Sequence, residues 1–182
     1  MGGPSAAIVV EELADLGVQT VIRLGTCGAV GAGVAVLDLV ISTAAVPLDG
    51  TTAQYLHGRP FAPVADVSVT NAIVVACRTI DRPVHTGLTM SQDAFYLQSE
   101  DWQTWQSHGV LAVEMETATI FTVSLHRGLR AGAICLAVDR VDDRATWASD
   151  EAIAAASEDL ITVGLAAAAL LARESPPMGP LS

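Results

Sequence analysis

Residues 21–31 read VIRLGTCGAVG, and the reading of this stretch decides the fold around it. Val21, Ile22 and Leu24 give its start the β-branched, apolar character of a buried strand. Gly25, Thr26, Cys27 and Gly28 then read as a turn, because glycines let backbone N–H groups point outward and approach a ligand closely. Arg23 sets a full positive charge in the apolar strand, and Thr26 adds a hydroxyl donor beside it. Arginine, hydroxyl and glycines at a strand end suit an oxyanion such as phosphate. A plainer arrangement fits the same residues: Arg23 pairs with a core carboxylate and the glycines only turn the chain.

The rest of the chain bounds what this stretch can do. With 182 residues, 51% of them hydrophobic, there is material for one sizeable core. A single domain is expected over residues 1–174, with 175–182 a disordered tail rich in proline. The net charge is −11 and all nine basic residues are arginines. No basic cluster exists to hold nucleic acid or an anionic membrane. Without lysine, Schiff-base chemistry and a P-loop are excluded, so any anion is held by single arginines, hydroxyls and backbone groups. The apolar run at 161–172 is too short to span a bilayer, and no basic segment followed by an apolar one opens the chain. A cytoplasmic protein is the expectation. Cys27, Cys77 and Cys135 are widely spaced and read as reduced thiols. His57, His85, His108 and His126 lack ligand spacing, so no metal is expected.

Strand and helix patterns alternate along the chain. Helices are expected at 4–16, at 70–80 with Thr70 as cap, at 100–106, at 117–127, and from a Ser149 cap to about 174. Strands are expected at 19–24, 36–42, 84–90, 109–113 and 131–138. Residues 47–50 read as a turn and 51–67 as a partly ordered excursion. Trp102 and Trp105, three residues apart on one helix, read as a packing pair rather than a binding platform. The class is α/β: a three-layer α/β/α sandwich around a central mixed sheet. The order opens on a helix with no strand before it, which is unusual for such a sheet.

Two further strand ends carry charge. Glu114 and Glu116 leave an apolar strand one residue apart, costly unless something pairs with them. A carboxylate there accepts both hydroxyls of a vicinal diol such as that of ribose. Alternatively, one glutamate caps the following helix and the other meets an arginine. Asp139 and Arg140 end the strand at 131–138. Asp139 is placed to protonate a leaving group and Arg140 to steady it, although adjacent Asp and Arg also form plain surface pairs.

Taken in order, Gly2-Gly3-Pro4-Ser5 with Glu12-Leu13, Arg23-Leu24-Gly25-Thr26-Cys27-Gly28, Ser91 with Asp93-Ala94-Phe95-Tyr96, Glu114-Met115-Glu116, and Asp139-Arg140 resemble the nucleoside phosphorylase family of uridine phosphorylases and hexameric purine nucleoside phosphorylases. The resemblance implies a phosphate-dependent cleavage of the N-glycosidic bond, giving free base and ribose 1-phosphate. It implies no cofactor, phosphate being a co-substrate, and a homo-oligomer, dimer or hexamer. It places Arg23 and Thr26 at phosphate, Met115 and Glu116 at ribose, and Gly28, Phe95 and the Glu114 backbone at the base. Asp139 matches the acid of the purine enzymes, and Arg140 matches an arginine of the uridine enzymes. The turn at 48–50 is closest to the uridine enzymes, so a uridine phosphorylase-like activity is the first expectation and a purine enzyme using Asp139 the alternative. A nucleosidase using water is a third reading.

The resemblance also shows departures. The glutamine and arginine with which uridine enzymes read uracil are replaced at 97–101 by LQSED. The family's Gly-Gly-Pro-Ser segment lies well inside its chain, whereas here it begins at Gly2. The resemblance therefore implies missing N-terminal strands, a missing glycine-rich loop and two missing phosphate arginines. A truncated, inactive or merely nucleoside-binding remnant is the non-enzyme expectation.

Overall fold

The computed structural model of the protein describes residues 1–96, 102–142 and 146–173. The elements run α1 (Gly2–Asp15), β1 (Thr20–Ala29), β2 (Leu39–Leu48), α2 (Gly50–Tyr55), α3 (Val67–Ala76), β3 (Val84–Gln92), α4 (Trp102–Ser107), β4 (Val110–Glu114), α5 (Thr117–His126), β5 (Arg130–Arg140) and α6 (Asp150–Leu171). The expected tail lies outside the described residues.

The chief difference from expectation falls in the opening stretch. Gly25–Thr26–Cys27–Gly28 is not a turn; it is the second half of β1. The reason is its partner. β5 runs parallel to β1 in register from Thr20↔Arg130 to Ala29↔Arg140, so the glycines are held extended by a full ladder. The chain turns only after Ala29. Likewise Pro47 and Leu48 belong to β2, and Asp49 caps α2 by accepting from the Thr52 N–H at 2.7 Å. Thr70 does not cap α3: Asp66 does, accepting from Val69 N–H at 2.9 Å, while the Thr70 hydroxyl donates to the Asp66 carbonyl within the helix. Ser149 caps α6 as expected, accepting from Ala152 N–H at 3.2 Å.

The sheet is mixed, with helices on both of its sides. Its order β1-β4-β3-β2-β5 closes on itself instead of ending in two open edges. Closure rests on a short antiparallel contact, Gly28↔Val113 and Ala29↔Ala112. Side-chain alternation assigns the two faces. Leu39, Ile41, Ile134 and Leu136 pack with Val69 and Ile73 of α3 and Leu160, Val163 and Ala167 of α6. On the other side, Ala131 and Ala133 meet Phe121 and Val123 of α5 and Ala7 and Val10 of α1. By length and composition α6 is apolar enough to cross a membrane. Its stripe Ala156, Leu160, Val163, Gly164, Ala167 and Leu171 is instead buried in the core, at the spacing of one helix face.

The register shifts matter for the site. Between Cys27↔Ala137 and Gly28↔Asp139 the ladder skips Val138, a bulge that resets which way the end of β5 points.

Candidate active site

β1 and β4 touch only at Gly28 and Ala29, and among the described residues β1 upstream of that point pairs on one side only, with β5. β4 ends at Glu114, and its chain turns away into α5. The two strands therefore part, and a cavity of about 970 Å³ opens where they do. Arg23, Gly25, Thr26 and Gly28 of β1, Glu114, Met115 and Glu116 at the end of β4, Asp139 of β5, and Phe95 and Trp147 line it together.

Arg23 is the centre of charge. Its Nε donates to Glu114 Oε2 at 3.0 Å, and its Nη2 lies 2.9 Å from the same oxygen and 2.5 Å from Glu116 Oε2. Burial opposes the guanidinium charge, and the neighbouring Cys135, Glu114 and Glu116 more than offset it, so its pKa is raised above the ordinary value. The plainer of the two readings of Arg23 thus describes the ligand-free protein: it pairs with carboxylates. Its Nη1, which donates to neither carboxylate, lies over Gly25, where an added Cβ would sit 2.6 Å from Cζ. Arginine and glycine two residues apart share one face of the strand, and the missing side chain of Gly25 makes the room. Reading the stretch as a turn concealed that pairing.

Glu114 is held almost without solvent, its side chain 1% exposed. Besides Arg23, its Oε2 accepts from the N–H groups of Glu116 and Thr117 at 2.9 and 2.8 Å, which caps α5. Its Oε1 accepts from the Ser91 hydroxyl, whose oxygen in turn accepts from Ala118 N–H at 2.8 Å. Both carboxylate oxygens of Glu114 are engaged in structure, in line with the helix-capping alternative from the sequence. Glu116 is the more open partner at 19% exposure, accepting from Arg23 and, at 2.6 Å, from Gly2 N–H.

Asp139 lines the cavity opposite Gly28, where a Cβ would fall 3.0 Å from its Oδ1 and 2.9 Å from Val141 Cγ1. Arg140 does not line it. Its Nη1 donates to the carbonyls of Val34 at 2.7 Å and Gly31 at 3.3 Å, and its Nε and Nη2 clasp Asp142 at 3.0 and 2.9 Å. That clasp holds the Asp142 carboxyl below its usual range. Of the residues predicted for the site, Arg23, Thr26, Gly28, Phe95, Glu114, Met115, Glu116 and Asp139 come together around one cavity, and Arg140 is not among its lining residues, although its partner Asp142 is. The LQSED stretch lies outside the described residues.

Among the lining residues that sequence reasoning did not assign to the site are Gly25, Gln92, Trp102, Asp142 and Trp147. Trp102 and Trp105 do pack against the Val30, Met90 and Val110 cluster, and Trp102 also presents a surface to the cavity. No group of three or more histidine, cysteine or acidic residues is gathered as a metal site among the described residues.

A family model described as the Phosphorylase superfamily matches residues 1–173. The chain belongs to that superfamily. Its relatives within it include the guanosine phosphorylase of Halorubrum lacusprofundi, 43% identical over 74% of this chain and 56% of that protein. The uridine phosphorylase of Salmonella typhimurium is 41% identical over 74% of this chain and 58% of its own length. A DeoD-type purine nucleoside phosphorylase of Colwellia psychrerythraea is 35% identical over 83% and 65%. The chain thus spans little more than half the length of the first two relatives.

Proposed function

We propose that this cavity cleaves the N-glycosidic bond of a nucleoside with phosphate, releasing free base and ribose 1-phosphate. The observation that carries the reading is the gathering of Arg23, Thr26, Met115, Glu116 and Asp139 around one space large enough for a nucleoside and an anion. In this reading, Arg23 Nη1 and the Thr26 hydroxyl orient phosphate beneath C1′. Glu116, the more open of the two glutamates, accepts from the ribose hydroxyls, and Met115 packs on the sugar. Bond cleavage develops oxocarbenium character on the sugar, which the carboxylate-rich wall stabilises electrostatically. A phosphate oxygen bonds to C1′ as the base nitrogen departs with the C–N electron pair, and the base takes up one proton. The Glu114 side chain positions Arg23 and α5, while its backbone, with Gly28 and Phe95, borders the base.

Between bases, one observation favours a purine over the uridine-like first expectation. Asp139 lines the cavity, as an acid delivering a proton to a departing purine needs, whereas Arg140 is absent from the lining and its guanidinium is held by the Val34 carbonyl and the Asp142 carboxylate. The test is chromatographic measurement of base release from inosine and from uridine, each with and without phosphate. Phosphate-dependent release from inosine that drops at least about tenfold in Asp139→Asn is expected for a lost general acid. Equal release without phosphate means hydrolysis, and release from uridine alone restores the uridine reading.

The assembly and its surroundings follow from the same reading: a homo-oligomer acting on small molecules in the cytoplasm, without cofactor or metal.

A further inference from the structure

Trp147 is held at the cavity by its surroundings rather than placed there incidentally. Two bonds pin the backbone on either side of it to the end of β5: Arg140 N–H donates to the Thr146 hydroxyl at 3.0 Å, and Ala148 N–H donates to the Val138 carbonyl at 2.9 Å. Those anchors flank Asp139, so the backbone that carries the indole is fixed relative to the strand end that carries this carboxylate. Its ring meets Phe95 edge-to-face, centroids 6.5 Å apart and planes at 67°, and both rings line the cavity. Each is about half exposed, Trp147 at 51% and Phe95 at 55%, an unusual state for large aromatic rings that nothing else in the fold requires.

Resting on the proposed cleavage of nucleosides, we propose that Trp147 and Phe95 form an angled aromatic corner that receives the flat base, with Trp147 the wall that favours a bicyclic purine over a pyrimidine. A planar heterocycle covering the indole removes apolar area on both partners, and two fused rings cover more of it than one. The corner also holds the ring beside Asp139, so stacking and proton delivery act on the same ligand edge. Base selection then depends on a residue in the segment after β5 rather than on the strand-end polar pair alone.

Trp147 is half exposed, so its replacement leaves the core intact. The experiment uses the chain as it is and titrates hypoxanthine and uracil, without phosphate, by calorimetry and by tryptophan fluorescence. Hypoxanthine is expected to quench the wild-type signal, and Trp147→Phe, which keeps an aromatic wall, to retain binding with reduced quenching, the remaining response coming from Trp102 on the same cavity. Trp147→Ala is expected to weaken hypoxanthine about tenfold, the usual size of a lost base–aromatic stack, and uracil about threefold or less. Unchanged hypoxanthine affinity in Trp147→Ala, or equal losses for the two bases, overturns the corner. If the bases bind and respond to Trp147 but no nucleoside is cleaved, the proposed reaction fails and the corner stands. If nucleosides are cleaved with the wild-type preference in Trp147→Ala, the corner fails and the reaction stands. No response to either base overturns both.

Discussion

Replacing Arg23 with methionine removes the one guanidinium between Glu114 and Glu116 while keeping much of its stem volume. Removing one partner of a buried ion pair costs about 3–5 kcal/mol, because the charge left behind has no counterion. Glu114, 1% exposed, keeps the Ser91 hydroxyl and the N–H groups of Glu116 and Thr117, so its stranded charge remains hydrogen-bonded. Glu116, 19% exposed, reaches solvent in part and keeps Gly2 N–H. Both facts set the expected loss at the lower end, about 3 kcal/mol. For a domain of this size that corresponds to a fall in Tm of about 6–12 °C. Urea unfolding followed by far-ultraviolet circular dichroism gives the free energy, and a thermal scan gives Tm. Adding Glu116→Gln to Arg23→Met is expected to recover part of the loss, since it removes one of the stranded charges. A stability for Arg23→Met within about 0.5 kcal/mol of wild type, the range of an inconsequential surface change, would refute the view that Arg23 is the keystone of the two glutamates.

The other expectations are more local. Gly25→Ala places a Cβ 2.6 Å from Arg23 Cζ, so the guanidinium must leave its seat; a lower Tm and weaker phosphate binding by calorimetry are expected, and an unchanged pair of values contradicts the close packing. Ser91→Ala leaves Ala118 N–H and Glu114 Oε1 without their shared partner in a fully buried place; a loss of about 1.5–3 kcal/mol in urea unfolding is expected. Burial pushes the Cys77 thiol up to about 11 from an ordinary 9.0. Over that window the unfolded chain releases the proton and the folded one retains it, so stability is to fall as pH rises from 9 to 11, and the fall is to shrink in Cys77→Ala. A pH slope identical in the variant removes Cys77 as its source.

Much of this was legible from the amino-acid order. Apolar periods placed most of the strands and helices, although the short helix Gly50–Tyr55 falls where the sequence reads as a turn and an excursion, and the charged residues left over at strand ends, Arg23, Glu114, Glu116 and Asp139, all line the cavity. What stayed hidden had physical causes. Gly25–Gly28 looked like a turn because glycine's local freedom says nothing of a partner strand more than a hundred residues away, and it is the β5 ladder that holds it extended. The choice between an anion and a carboxylate for Arg23 depended on which side β4 would approach from, a tertiary fact. Asp66 outcompeted Thr70 as a cap because the chain enters α3 extended from Ala65–Asp66, which are bonded to Thr43 and Ala131 carbonyls. Ordinary strand alternation puts Asp139 and Arg140 on opposite sides, and the bulge at Val138 sets which side each one takes; no sequence period encodes a skipped residue. Trp147 sat in a stretch with no period at all.

The central claim is that bond cleavage at this cavity hands the sugar to phosphate. Phosphorus NMR of the protein incubated with inosine and inorganic phosphate reads that transfer directly. A sugar 1-phosphate resonance is expected to grow in step with free hypoxanthine as inorganic phosphate declines. Hypoxanthine released with the phosphate signal unchanged, leaving free ribose, would contradict the account.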